Sequence, residues 1–204
     1  MPEARPATHK GTDPFALIVE LDRVMKDFDR PWFVSGGWAI DLFAGRVTRE
    51  HEDLEVGLFL PDQAAIRGHL REWELFRIRD DTWVPWAATD QIELPEFQVQ
   101  ARSARPALPA FDIFFNPIDG GDWLSRRHPG VRVAVTNLIR WSPGPAGIPY
   151  LAPEVQLLYK AKYHRPKDDA DFETAIGLLQ REPRRWLRDV LATHHPGDPW
   201  TARL

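Results

Sequence analysis

The sequence predicts an α/β (α+β) chain, in which a part with alternating strands and helices is followed by a helical C-terminal part. Three observations carry this. Short stretches of apolar/polar alternation recur between segments of helical spacing up to residue 145. From Pro153 onward only helical spacing remains. The 19 prolines fall mainly between the periodic segments, at about twice the usual share, and so mark the loops. The expected organisation is a flexible tail over 1–12, a core over 13–145 and a helical region over 146–204.

Asp13-Pro14 opens the first helix, with Asp13 as N-cap and Pro14 at the first helical position, over Phe15, Leu17, Ile18, Leu21, Val24, Met25 and Phe28. Pro31 stops it, and Trp32 to Ser35 reads as a short strand. Gly36-Gly37 follows at once, then Trp38 to Ala44 with helical spacing, closed by Gly45. A polar crossing from Arg46 to Glu52 leads to a second strand, Leu54 to Leu60. Pro61-Asp62 starts a helix through Leu70, and Trp73 to Arg79 is another strand. Phe97 to Gln100 and Ala110 to Phe115 are strands, with Pro106 and Pro109 in the turn between them. Val131 to Trp141 reads as strand and loop, and Ser142 to Pro149 as a Pro/Gly-rich turn. Beyond Pro153, Val155, Leu158, Tyr159 and Lys162 share one helical face, and further helices run from Lys167 to Gln180 and from Pro183 to Thr193.

Composition excludes several classes. With 27% charged and 43% hydrophobic residues the chain is not extensively disordered. Without cysteine there is no disulfide framework, thiolate metal site or cysteine nucleophile. No apolar run approaches the ~20 residues that span a bilayer, and the polar segment Met1 to Pro14 lacks the core of a secretory signal. The expected location is the cytoplasm. A net charge of −4 argues against non-specific nucleic-acid binding, and it is compatible with a cationic small molecule drawn to an acidic cleft. The 9 tryptophans exceed what a minimal core needs, so some are candidates for an apolar site wall.

The chemistry concentrates in two stretches. A strand running into Ser35-Gly36-Gly37 and then a helix presents backbone N–H groups at a helix N-terminus, which suits a phosphate; a tight turn is the plainer alternative. Asp53 and Glu55, two apart at the start of a strand, point to one side. Two carboxylates so close repel unless a cation neutralises them, and hard oxygen ligands suit Mg²⁺. Asp112 interrupts an otherwise apolar strand and must be metal-bound, hydrogen-bonded or ion-paired, for example to Arg126 or Arg127. Arg126-Arg127-His128 with Arg132 is a small basic cluster that reads either as a phosphate site or as a solvated face.

Residues 33–56, from Phe33-Val34-Ser35-Gly36-Gly37 through Thr48-Arg49 and His51 to Asp53-Leu54-Glu55, resemble the signature of the nucleotidyltransferase superfamily. They are most similar to its aminoglycoside-2''-adenylyltransferase-like group, with the lincosamide nucleotidyltransferases nearby. Asp112 in Phe-Asp-Ile-Phe-Phe stands where that family has its third metal carboxylate. Gly147 to Glu154, Lys160-Ala161-Lys162 and Arg165 to Phe172 resemble the group's C-terminal helical region. The likeness is strongest at 33–59 and 147–172; it is poor over 80–109, where acceptor recognition is expected. The pair here is Asp53-x-Glu55, whereas antibiotic-modifying members commonly carry Asp-x-Asp.

The resemblance implies a mixed sheet flanked by helices, and transfer of a nucleoside monophosphate from an NTP, most simply ATP, to a hydroxyl of an aminoglycoside-like small molecule. It implies Asp53, Glu55 and Asp112 as catalytic Mg²⁺ ligands, with Asp112 also the general base ahead of Glu93 or Glu96. Ser35, Gly36, Gly37, Arg49, Lys162 and Lys167 are the implied nucleotide-binding residues, His51 braces the loop, and Asp41 is structural. Two other readings stay open: a toxin–antitoxin-like enzyme that modifies a protein or tRNA, and a non-catalytic nucleotide-binding protein on the same fold.

Overall fold

A computed structural model describes residues 13–80, 82–143 and 147–204. The expected tail over 1–12 and the middle of the Ser142–Pro149 turn lie outside the described residues. In chain order the elements are α1 (Ala16–Met25), β1 (Phe33–Ser35), α2 (Gly36–Ala44), β2 (Glu55–Phe59), α3 (Gln63–His69), β3 (Glu74–Arg79), β4 (Thr82–Pro85), β5 (Gln98–Arg102), β6 (Ala110–Asn116), β7 (Ile118–Asp119), β8 (Asp122–Leu124) and β9 (Arg132–Ala134). There follow α4 (Val135–Leu138), β10 (Ile139–Trp141), β11 (Pro149–Leu151), α5 (Pro153–Lys160), α6 (Pro166–Ile176) and α7 (Arg181–His194).

The architecture is the mixed α/β fold expected. Eight strands form one sheet in the order β10-β11-β1-β2-β6-β5-β3-β4, and β7-β8-β9 form a small second sheet. In its middle, β1 runs antiparallel to β2, β2 runs parallel to β6, and β11 lies parallel to β1. The central strands are covered on both faces, which explains why Val56, Leu58 and Phe59 read as a nearly continuous apolar run. Helices α5 and α6 pack against α2, and α7 packs against α5. Phe172, Leu187 and Leu191 carry the core into these helices. Among the described residues no helix is long and apolar enough to cross a membrane.

Several expectations need correction. The first helix begins at Ala16, because Asp13 accepts from the Phe15 N–H through its side chain (2.9 Å) and from the Ala16 N–H through its carbonyl (2.9 Å). It closes at Met25, short of Phe28. The Ser142–Pro149 turn ends in a strand, β11, that sequence reading missed. Its three residues are too few to show alternation, and all are buried between β1 and β10. Strands β4, β7 and β8, two to four residues long, escape for the same reason. Helix α5 stops at Lys160, so Lys162 lies in the following turn and not on the helical face expected of it.

Candidate active site

The sheet register builds the site. Ser35 at the end of β1 lies opposite Glu55 on β2, and Glu55 lies opposite Asp112 on β6. Residues paired across neighbouring strands face the same side, so one hydroxyl and two carboxylates form a row across the sheet. Asp53, exposed at the mouth, stands two residues before the more buried Glu55. Burial pushes the Glu55 carboxyl up to about 7, and the negative charges of Asp53 and Asp112 push it the same way, against the pull of Lys160 and Lys167. Asp112 is raised as well, first by burial, although Gln100 donates to its Oδ1 at 3.1 Å and opposes the shift.

The two glycines answer to packing. Gly36 has φ 70°, and its N–H is taken by Gln156 Oε1 at 2.8 Å. A Cβ at Gly36 would lie 2.8 Å from Glu55 Oε2. Gly37 is crossed by the Arg49 guanidinium and the His51 ring, which any side chain there would overlap. The expected phosphate cradle therefore lacks the Gly36 donor, because a side chain of α5 already satisfies it.

The loop between α2 and β2 is fastened at two points. Asp41, fully buried on α2, accepts from Thr48 N (3.1 Å) and Thr48 Oγ1 (2.5 Å) through Oδ1, and meets His51 Nε2 at 2.5 Å through Oδ2. The His51 ring also lies 4.3 Å from Trp38, centroid to centroid. Between these contacts Arg49 reaches the other way and grips Asp171 on α6 with both prongs at 2.9 Å. Asp171 in turn receives Lys160 Nζ at 2.7 Å, and Lys160 lies 3.3 Å from Asp168, which Arg165 also engages at 2.8 Å. Asp41 and His51 thus play the structural roles expected, and Arg49 acts as a tie between the loop and α6.

A cleft enclosing about 920 Å³, part of it open to solvent, runs between the carboxylate row and the C-terminal helices. Ser35, Gly36, Gly37, Arg49, Asp53, Glu55 and Lys167 line it; Asp112, engaged by Gln100, and exposed Lys162 do not. The chain is acidic overall, yet the cleft is lined by Arg49, Arg126, Arg127, Lys160, Arg165 and Lys167 against Asp53 and Glu55. The acidic cleft that net charge suggested is absent from the described residues. Trp123 is the only tryptophan lining the cleft among them, while Trp38, Trp73, Trp86 and Trp200 are core.

Gln156, Tyr159 and Lys160 of α5 line the cleft unforeseen, although their spacing of i, i+3 and i+4 was a readable signal; Tyr163, in the turn that follows, lines it as well. The buried polar pair Gln156 and Lys160 sits where an apolar stripe was sought.

The carboxylates meet the chemical requirement of a hard cation. Among the described residues no three His, Asp or Glu side chains gather closely enough to hold an ion unaided. Mg²⁺ does not require that, since it commonly takes one or two carboxylates and completes its shell with substrate phosphates and water. Glu55, raised by its own burial and by two neighbouring carboxylates, is a group whose charge a cation would restore.

Comparison with known proteins bears on the fold and on one segment of the sequence. Residues 17–85 match the family model for aminoglycoside-2''-adenylyltransferase, a span that contains Ser35-Gly36-Gly37 and Asp53-x-Glu55. The lincosamide antibiotic adenylyltransferase LnuA in its lincomycin-bound form has the same fold, with a TM-score of 0.56 at 15% identity, covering 83% of this chain and 100% of that one. The ANT(2'')-Ia enzyme in complex with adenylyl-2''-tobramycin matches with a TM-score of 0.57 at 15% identity, over 89% of this chain and 99% of that one. The solution structure of ANT(2'')-Ia matches with a TM-score of 0.55 at 15% identity, over 87% and 90%. No curated protein matches the chain in sequence. The chain shares its fold with these adenylyltransferases, and its residues 17–85 resemble the aminoglycoside-2''-adenylyltransferase family.

Proposed function

We propose that the protein transfers a nucleoside monophosphate, most simply from ATP, to a hydroxyl of a small molecule, acting in the cytoplasm. The observation that carries this reading is the row Ser35–Glu55–Asp112 with Asp53 beside it, opening onto a cationic cleft. In the reaction the acceptor oxygen bonds to the α-phosphorus, the bond from that phosphorus to the β-phosphate oxygen breaks, and pyrophosphate leaves. The carboxylates of Asp53 and Glu55 would hold Mg²⁺, which would supply charge stabilisation on the phosphates.

The residues of this chain do the rest. Asp112 takes the acceptor proton at Oδ2, since Gln100 occupies Oδ1. Ser35 and the Gly37 N–H at the start of α2 bind phosphate oxygens, favoured by the helix N-terminus. Lys167, whose Nζ is 3.3 Å from the exposed Glu52, is held loosely enough to turn to the triphosphate. Arg49 positions the loop through Asp171. On this reading residues 13–145 carry the chemistry and 146–204 supply the opposite wall. The relatives whose structures hold lincomycin and adenylyl-2''-tobramycin suggest hydroxylated antibiotics as the first acceptors to screen.

Calorimetric titration of a non-hydrolysable ATP analogue tests the reading, with and without Mg²⁺, on wild type and Asp53→Asn. Binding that needs Mg²⁺ and is lost in the variant is the expected result. Binding indifferent to metal and to Asp53 would sink the catalytic reading and leave a nucleotide-binding or repurposed fold.

A further inference from the structure

The cations of the cleft fall into two groups. Arg49, Lys160, Arg165 and Lys167 each meet a carboxylate within 4 Å. Arg126 and Arg127, at the turn after β8, meet none among the described residues. Arg126 is largely enclosed: its guanidinium carbon lies over the Phe97 ring, 3.7 Å from the centroid, and its Nε is buried without a hydrogen-bond partner. Burial accordingly lowers its pKa. Arg127 donates Nη1 to the Tyr159 carbonyl at 3.2 Å and sits between the Tyr159 and Tyr163 rings, 5.2 and 5.8 Å from their centroids.

The turn that carries the pair is fixed. Ser125 Oγ accepts from Arg127 N at 3.3 Å and from His128 N at 3.1 Å, and His128 Nε2 meets His195 Nε2 at 2.9 Å. Two guanidiniums are therefore held against the cleft by backbone and aromatic contacts, one with an unmet N–H and neither with an anion. For Arg126, a largely buried cation, this is costly. The planar fork of arginine matches a phosphate in two-pronged geometry.

We propose that Arg126 and Arg127 form an anion subsite on the cleft wall that takes a phosphate-type oxyanion, from the triphosphate of the nucleotide or from an acidic group of the acceptor. The subsite stands on the arginine geometry alone. Its assignment to the nucleotide rests on the function proposed above.

The probe is inorganic pyrophosphate in metal-free buffer, titrated calorimetrically into wild type, Arg126→Gln, Arg127→Gln and the control Arg185→Gln on the exposed face of α7. Each cleft variant is expected to weaken pyrophosphate binding by about tenfold or more, as loss of a charge-assisted contact does, while Arg185→Gln matches wild type. Near-UV circular dichroism checks that Arg126→Gln is folded; if it is not, exposed Arg127 decides the matter. In a second titration with Mg²⁺ present, pyrophosphate that competes with the ATP analogue assigns the subsite to the triphosphate, whereas simultaneous binding assigns it to the acceptor. Unchanged binding in Arg127→Gln and in folded Arg126→Gln, or no binding by wild type at millimolar pyrophosphate, overturns the subsite. None of these results depends on Asp53, so the catalytic reading stands or falls separately.

Discussion

Arg49 and Asp171, 122 positions apart, meet through a two-pronged ion pair, with Nε on Oδ1 and Nη2 on Oδ2 at 2.9 Å each. The pair joins the loop that leads into the carboxylates to the helix that lines the far side of the cleft. Asp171 is fully buried and also neutralises Lys160.

Replacing Asp171 should therefore cost more than one surface contact. Asp171→Ala leaves the buried Lys160 with Asp168 alone and frees the loop from α6. Breaking a buried pair by removing one partner typically costs about 3–5 kcal/mol. Urea denaturation should show a loss of that order. A loss below about 1 kcal/mol, the range of exposed ion pairs, would mean that the cluster is not a structural tie.

Gly57 gives a second stability test. It sits in the middle of β2, where a methyl group would overlap the Phe33 ring from the neighbouring strand. Over-packing a core of this kind costs about 1–3 kcal/mol. Gly57→Ala should lower stability by that amount in thermal melts, and Phe33→Leu should restore part of it by vacating the space.

How much of this was readable in advance depends on how local the cause is. Gly45 closing α2 at φ 68° and the alternation of β6 are written in neighbouring residues and were legible. So was the row of acids, since its members lie at strand positions with clear periodicity. The Gln156 contact to Gly36, the Lys160–Asp171 bond and the parallel pairing of β11 with β1 depend on segments far apart in the chain, and nothing local announces them. The cleft's sign was misread for a related reason. Net charge sums the whole surface, while the α2–β2 loop, the turn after β8, α5 and the start of α6 bring Arg49, Arg126, Arg127, Lys160, Arg165 and Lys167 to one cleft.

The metal-free carboxylate row has a pH signature. Glu55 titrates at about 7 in the folded protein, chiefly because it is buried, against an ordinary value of 4.5. Between those values the folded state holds a proton that the unfolded chain has released, so stability falls as pH rises from 4.5 to 7. Glu55→Gln removes that slope. In chelator, the variant should melt above wild type at pH 8 and the two should converge near pH 5. A constant difference across that range would show that Glu55 is ionised throughout.

The histidine cluster at the end of α7 produces the opposite slope. His128 is buried, with Nδ1 3.1 Å from Ser125 Oγ and Nε2 2.9 Å from His195 Nε2. Two facing imidazole nitrogens can share one proton; a second would set N–H against N–H. Burial, then His195, His194 and Arg127, lowers the His128 pKa from 6.5 to about 4. The unfolded chain therefore takes up a proton below pH 6.5 that the folded protein refuses until about 4, and stability is lost as pH falls through that window. The expected loss by pH 5 is about 2 kcal/mol, roughly 4–8 °C in Tm for a chain of this size. His128→Gln, which keeps a polar group of similar reach but cannot titrate, should flatten this part of the profile. If the two proteins lose Tm in parallel from pH 7 to pH 5, the coupling assigned to the His128–His195 contact is wrong.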